Sequence, residues 1–127
     1  IEDFKRVLTP VAPKHKEYKY FAQVFQAIRI EVNDELKALE EMIVGATELL
    51  APEGRFVVMS YHSLEDRLVK NYFQKGKFHG TVEKDFYGHD IKPLQSITRK
   101  PVEASKEEKE TNTRARSSKL RIAEKIK

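Results

Sequence analysis

The sequence of 127 residues predicts an α/β fold, forming one domain or part of a larger one. Three patterns lead to this prediction: a long stripe of apolar residues at helical spacing, a compact apolar run typical of a buried strand, and two strand-like segments near the C-terminus. The compact run ends at a cluster of ionisable residues that opens a helix. Ligands of open α/β sheets bind at such carboxyl ends of strands.

The helical stripe covers residues 18–50, where apolar side chains recur every three or four positions. We predict one long amphipathic helix there, although Asn33 and Asp34 leave open a break into two helices. Pro52 and Gly54 end the helical pattern. The preceding residues 1–16 are predicted to be irregular.

Residues 56–61 form an apolar run without alternation, which predicts a strand covered on both faces, as in a parallel sheet. Ser63 is predicted to cap the following helix, with Asp66 reaching back as in a capping box. The buried face of that helix should hold Leu64, Leu68, Val69, Tyr72 and Phe73.

Residues 74–94 are predicted to form a long loop. A short strand is expected over residues 95–100, followed by a short polar helix that Ser105 and Glu108 cap. Alternating apolar residues predict a half-buried C-terminal strand through Leu120, Ile122 and Ile126.

Composition narrows the classes of function. The chain has no cysteine, which excludes disulfides and thiolate metal sites and fits the cytoplasm, the predicted location. No stretch approaches the roughly 18 apolar residues of a membrane helix, so no membrane partner is expected. The net charge of +4 is concentrated after residue 98 and permits a polyanionic partner.

The first candidate site is the cluster at the end of the predicted strand, formed by His62, Ser63, Glu65 and Asp66. A hydrolase triad is disfavoured because no Gly-x-Ser-x-Gly turn is present. A metal site is disfavoured because His62 and Glu65 are too few ligands. The alternative that stays open is structural, with Ser63 and Asp66 only capping the helix.

The second candidate site is the basic segment 112–121, with the sequence NTRARSSKLR. Its cations can neutralise phosphates, while hydroxyl and amide groups fix the register of a nucleic acid. The candidate ligands are Asn112, Arg114, Arg116 and Lys119. A solvated basic loop is the competing interpretation.

Three segments together resemble a known family. Residues 25–36 (FQAIRIEVNDEL), residues 60–67 (SYHSLEDR) and the basic segment are similar, in order and spacing, to the bacterial small-subunit ribosomal RNA cytosine-N4 methyltransferases (MraW/RsmH type). The resemblance spans roughly residues 20–125 and concerns the carboxyl-terminal portion of those enzymes. Small departures occur: Tyr61 stands where the family pattern has Phe, and Thr113 where it usually has Pro.

The resemblance implies a class I, Rossmann-like methyltransferase fold whose first strands are missing here. Residues 1–19 would be an irregular remnant of an inserted helical domain, and residues 20–127 the C-terminal half of the methyltransferase domain. The last two strands would form the antiparallel edge of the sheet.

The implied activity is methyl transfer from S-adenosyl-L-methionine to the exocyclic amine of a cytosine in small-subunit ribosomal RNA. In that frame His62, Ser63, Glu65 and Asp66 line the cytosine pocket, and the basic segment holds the RNA backbone. No catalytic residue is assigned.

No glycine-rich strand–turn–helix for the cofactor occurs in the sequence, and the resemblance places that motif upstream of Ile1. We therefore expect the chain alone not to bind the methyl donor or turn over. A strand at 56–61 without its neighbour would favour self-association, so a homo-oligomer is predicted. A non-enzymatic RNA-binding or structural module is the alternative function.

Overall fold

A computed structural model describes residues 1–126 of the chain. These residues form two compact units, Ile1–Lys37 and a second unit that begins at Ala38. Among them, no helix combines the length and apolarity that crossing a membrane requires. The predicted division between residues 19 and 20 stays a prediction.

The chain begins with helices, and strands and further helices follow. The helices are α1 (Glu2–Leu8), a 3-10 turn (Thr9–Val11), α2 (Glu17–Asn33), α3 (Glu35–Leu49), α4 (Ser63–Lys75), α5 (Lys106–Thr111) and a second 3-10 turn (Thr113–Ser117). The strands are β1 (Arg55–Ser60), β2 (Glu83–Lys84), β3 (Asp90–Ile91), β4 (Leu94–Ser96) and β5 (Lys119–Lys125). The predicted α/β class is confirmed.

The start of the chain is helical, so the prediction of an irregular segment 1–16 is wrong for α1. Acidic residues in its first turn favour the helix, and the guanidinium of Arg6 lies 2.7 Å from the Asp3 carboxylate. Pro10 falls in the first turn of the 3-10 helix, where proline is tolerated. Phe4 packs on Phe25 of α2, with ring centroids 5.6 Å apart.

The predicted single helix over residues 18–50 is two helices, and the open alternative of a break is confirmed. Asp34 lies between α2 and α3 with φ of 50°, in the left-handed region that ends a helix. Aspartate visits this region more readily than most residues. The apolar stripe crosses the break without interruption, and periodicity therefore did not reveal it.

A three-stranded antiparallel sheet organises the second unit, in the order β1-β5-β4. Ser60 of β1 lies opposite Lys119, and Leu94 of β4 lies opposite Lys125. The predicted antiparallel pairing of the last two strands is confirmed. β5 is the central strand of these three, and β4 lies at one edge.

One face of the sheet carries the core, which includes Ile43, Val69, Phe73 and Leu94, all almost fully buried. In β1 the burial alternates, with Val58 and Ser60 buried. Val57 and Met59 on the opposite face are each 52% exposed. The predicted coverage of both faces is therefore not found within residues 1–126, because an apolar run cannot by itself say which face is packed.

The loop predicted over residues 74–94 contains a small hairpin, β2 paired with β3, that the sequence did not reveal. Leu64, predicted to be buried, is 40% exposed, whereas the other four predicted core positions of α4 are buried. The predicted cap of α5 is confirmed, since the Ser105 Oγ accepts a hydrogen bond from the Glu108 N–H at 3.1 Å.

Replacing Gly76 with alanine should destabilise the fold. Gly76 ends α4 with φ of +72°, and an added Cβ would lie 3.0 Å from side-chain atoms of Lys92 and Pro93. The left-handed conformation alone costs about 1–2 kcal/mol for a residue with a Cβ. Gly45→Ala is the matched control, because nothing lies within 4 Å of its Cβ position in α3. In chemical denaturation, the free energy of unfolding should decrease for Gly76→Ala and increase by up to about 1 kcal/mol for Gly45→Ala.

Tyr72 should make stability fall at high pH. Burial raises the pKa of its hydroxyl, an effect that a hydrogen bond with Thr47 opposes and the nearby Glu48 charge reinforces. A group with a raised folded-state pKa stabilises the fold fully below its unfolded pKa of about 10, and this stability is lost as the pH rises further. The urea midpoint of the parent protein should fall between pH 9 and pH 11, and it should fall less for Tyr72→Phe. An equal fall in both proteins would show that Tyr72 is not the group responsible.

Candidate nucleic-acid interface

The pairing of β1 with β5 brings the two sequence-predicted sites to one end of the sheet. Because the strands are antiparallel and Ser60 faces Lys119, the chain leaves β1 where it enters β5. The residues that follow β1, from Tyr61 on, therefore lie beside the residues that precede β5. The two candidate segments are about 50 residues apart in sequence.

The basic segment is built around Asn112, which precedes the 3-10 turn Thr113–Ser117. Its Oδ1 accepts a hydrogen bond from the Arg114 N–H at 3.2 Å, and its Nδ2 donates to the Glu108 carboxylate at 3.3 Å. Ser118 donates from its hydroxyl to the Ala115 carbonyl at 2.8 Å. Asn112 therefore shapes the segment that presents the arginines.

Arg114 and Arg116 are exposed on this turn, and no carboxylate within residues 1–126 lies within ion-pairing distance of either guanidinium. Lys119 is half-buried at the start of β5. Cations that face solvent without an internal counter-charge remain available to an anionic ligand. Arg114 and Arg116 are the two best-placed phosphate ligands.

Asp66, predicted at the sequence level to face the ligand, is instead buried against Arg121. The Arg121 Nε and Nη2 donate to the two Asp66 carboxylate oxygens at 2.7 and 3.0 Å, and the two residues are only 5% and 7% exposed. This bidentate pair fixes the first turn of α4 to the central strand. Arg121 is consequently not part of the exposed basic surface.

The pair was missed because the apolar pattern of β5 predicted the wrong face to be packed: Leu120 and Ile122 suggested the core side, whereas the structure buries Arg121 and Ala123. Arg121 lies between Leu120 and Ile122 on β5, and successive side chains of a strand point to opposite faces. A cation on the core side of a sheet requires a buried carboxylate, and Asp66 opens the helix that covers that side.

The remaining residues of the first candidate site surround the start of α4. Ser63 is exposed as the first residue of the helix, and the Ncap residue is His62, so the predicted Ser63 cap and Asp66 capping box are wrong. Glu65, rather than Asp66, bonds back to the backbone before the helix: its carboxylate accepts a hydrogen bond from the Tyr61 N–H at 3.3 Å. His62 is half-buried.

A cleft of about 400 Å³ opens between the end of β1 and the basic segment. Its floor is a row of apolar side chains in register across the sheet: Met59 lies opposite Leu120, which lies opposite Val102. Asn112 and Arg114 line its polar side, and Tyr61 lines its open end. His62, Ser63 and Glu65 border Tyr61 but do not line this cleft.

The cleft is suited to binding rather than to metal chemistry. In the part of the chain that the structure describes, no group of three or more His, Asp or Glu side chains could hold a metal ion. The rim is polar and of mixed charge, with Arg114 beside Glu103 and Glu108. An apolar floor with a few polar groups at its rim is the usual composition of a small-ligand site. Sequence reasoning missed Tyr61, Met59 and Val102 as members of this site.

Comparison with known proteins gives a family-level match. Residues 1–126 match a model described as the MraW methylase family. The chain is 57% identical over 118 residues to a protein named ribosomal RNA small subunit methyltransferase H from Cytophaga hutchinsonii, covering 93% of this chain and 39% of that protein. A protein of the same name from Parabacteroides distasonis is 52% identical over 126 residues, covering 99% and 41%. The chain thus spans about two fifths of the length of these relatives.

Proposed function

Because the chain belongs to the MraW methylase family, we propose that it is the RNA-facing part of an enzyme that methylates small-subunit ribosomal RNA. The methyl donor is S-adenosyl-L-methionine and the acceptor is the N4 amine of a cytosine. The observation that carries the proposal, beside family membership, is that Tyr61 and Arg114 line one cleft where β1 ends and β5 begins. His62 and Ser63 follow Tyr61 in sequence, and Arg116 lies on the same turn as Arg114.

The arrangement supports binding of an unpaired nucleotide. An enzyme that modifies a base must act on single-stranded RNA or extrude the base, and must hold its hydrogen-bonding edge. The imidazole of His62 and the hydroxyl of Ser63 supply donors and acceptors beside Tyr61, next to the cleft, while Arg114, Arg116 and Lys119 neutralise phosphates. Methyl transfer to an amine depends chiefly on orientation, which these contacts provide.

Asp66 and Glu65 act through other residues. The Asp66–Arg121 pair holds the first turn of α4 against β5, and Glu65 holds the Tyr61 backbone. Both are therefore positioning residues of the site. Asn112 has the same role toward the arginines of the basic segment.

The described residues do not fit the methyl donor. Three of the five glycines have positive φ, yet Gly76 ends a helix and Gly80 and Gly88 lie in the segment that carries the hairpin. None follows a strand and opens a helix, as a cofactor-binding turn requires. No step of the reaction is therefore assigned to the donor through these residues.

The strands of the second unit also fit a place within a larger domain. The chain supplies the C-terminal portion of a Rossmann-like domain, and the antiparallel β4–β5 pair is consistent with that portion. β1 pairs on one side only among residues 1–126, and its unpaired edge supports association with a further strand or a second copy.

A methylation assay tests the proposal on a full-length family protein that carries this sequence. His62→Ala with Ser63→Ala should lower methyl incorporation into ribosomal RNA by about tenfold, because each lost hydrogen bond to the bound nucleotide contributes about 0.5–1.5 kcal/mol. His79→Ala is the matched control, since His79 is exposed and lies outside the site. Undiminished methylation by the double variant would contradict the pocket. RNA binding without any methylation would favour the non-enzymatic module.

A further inference from the structure

Tyr61 is a large aromatic residue whose position the function has not explained. Its ring is about half exposed and lines two adjacent depressions, the cleft and a shallower one bounded by Arg114 and Ser117. An aromatic ring that lies at a strand end, beside unpaired arginines, presents an accessible π-face next to positive charge.

Two contacts place Tyr61 at the cleft. Its backbone N–H donates to the Glu65 carboxylate at 3.3 Å, and its hydroxyl donates to the Met59 Sδ at 3.4 Å. Met59 belongs to the floor of the cleft, in register with Leu120. The ring therefore lies beside the apolar floor, where a flat ligand can contact both.

We propose that the cleft binds one unstacked nucleobase of single-stranded RNA, with Tyr61 as the stacking residue. The inference rests on the proposed function and deepens it, because it assigns base binding to a residue outside the predicted site. The apolar floor accepts the flat base, and Arg114, which borders both depressions, reaches the attached phosphate.

Charge and shape favour a nucleobase over a protein side chain as the occupant. Arg114 and Arg116 are exposed and have no carboxylate partner in residues 1–126, so both guanidinium groups are available to an anionic ligand. Of the acidic residues at the rim, Glu103 is already near Lys109 at 3.6 Å and Glu108 accepts from Asn112. Stacking on an aromatic ring combined with guanidinium–phosphate contacts is the common mode of single-strand binding.

The test measures the affinity of a full-length family protein carrying this sequence for a mixed-sequence single-stranded RNA oligonucleotide, by fluorescence anisotropy at fixed salt. Tyr61→Ala and Tyr61→Leu should each weaken binding by about 5- to 150-fold, the range for loss of one base–aromatic stack. Tyr61→Phe should stay within about threefold of the parent, because it keeps the π-face. Leucine preserves bulk and apolarity, so its loss of affinity would report stacking rather than packing.

A duplex RNA of the same length is the control ligand. Its bases are paired and stacked, so the Tyr61 variants should bind it as the parent protein does. Parent-like affinity of Tyr61→Leu for the single strand would overturn the stacking role, and the proposed function would stand if Arg114→Ala still weakened binding. No binding of single-stranded RNA by the parent protein would overturn both.

Discussion

Replacing Asp66 with alanine is expected to destabilise the protein by about 3–5 kcal/mol, because it leaves the Arg121 guanidinium buried without a counter-charge. Total stabilities of domains are about 5–15 kcal/mol, so this loss is a large fraction of the free energy of unfolding. Arg121→Ala should have a comparable effect. Chemical denaturation followed by circular dichroism measures the change.

A double replacement distinguishes an uncompensated charge from a packing defect. Asp66→Leu with Arg121→Met removes both charges and keeps apolar bulk, and such exchanges are often neutral or stabilising. We expect the double variant to recover most of the stability that the single variants lose. A double variant as unstable as Asp66→Ala would show that the ion pair is not the reason.

Replacing Phe73 with alanine is the second large expected effect, a loss of about 3–5 kcal/mol. Phe73 is fully buried in the core and packs on Phe56 of β1, with ring centroids 5.6 Å apart. Its removal leaves a cavity between α4 and the sheet that close-packed neighbours cannot fill.

Phe86→Ala is the matched control, since it removes the same side chain from the tip of the hairpin, where the ring is 97% exposed. Its effect on the midpoint of urea denaturation should stay within about 0.5 kcal/mol. Equal decreases in the free energy of unfolding for Phe73→Ala and Phe86→Ala would contradict the location of the core on the α4 side of the sheet.

Local patterns predicted the elements where local chemistry determines them. The strand ending near Tyr61, the buried face of α4 and the Ser105 cap all follow from side chains within a few residues of one another. Asp34 broke the helix although the apolar stripe continues, because backbone conformation at one residue does not alter periodicity. The hairpin was missed because its two-residue strands carry almost no pattern.

The candidate site was predictable in its parts and not in its assembly. His62 and the basic segment were found from residue types, whereas their proximity depends on the register of β1 with β5. The same register turned Asp66 toward Arg121 and left Tyr61 at the cleft. Strand pairing over about 60 residues of sequence is a long-range property that single-sequence patterns do not specify.

The proposed function requires that Arg114 and Arg116 bind RNA phosphates at the end of β1. The most direct measurement is the slope of log affinity against log salt for single-stranded RNA, using a full-length family protein that carries this sequence. Arg114→Ala with Arg116→Ala should reduce the magnitude of the slope by about 1.4, since each phosphate contact to a single strand contributes about 0.7. Arg55→Ala with Lys84→Ala, which removes two cations elsewhere in the same unit, should leave the slope unchanged. Identical slopes for the parent and the Arg114/Arg116 variant would contradict the claim.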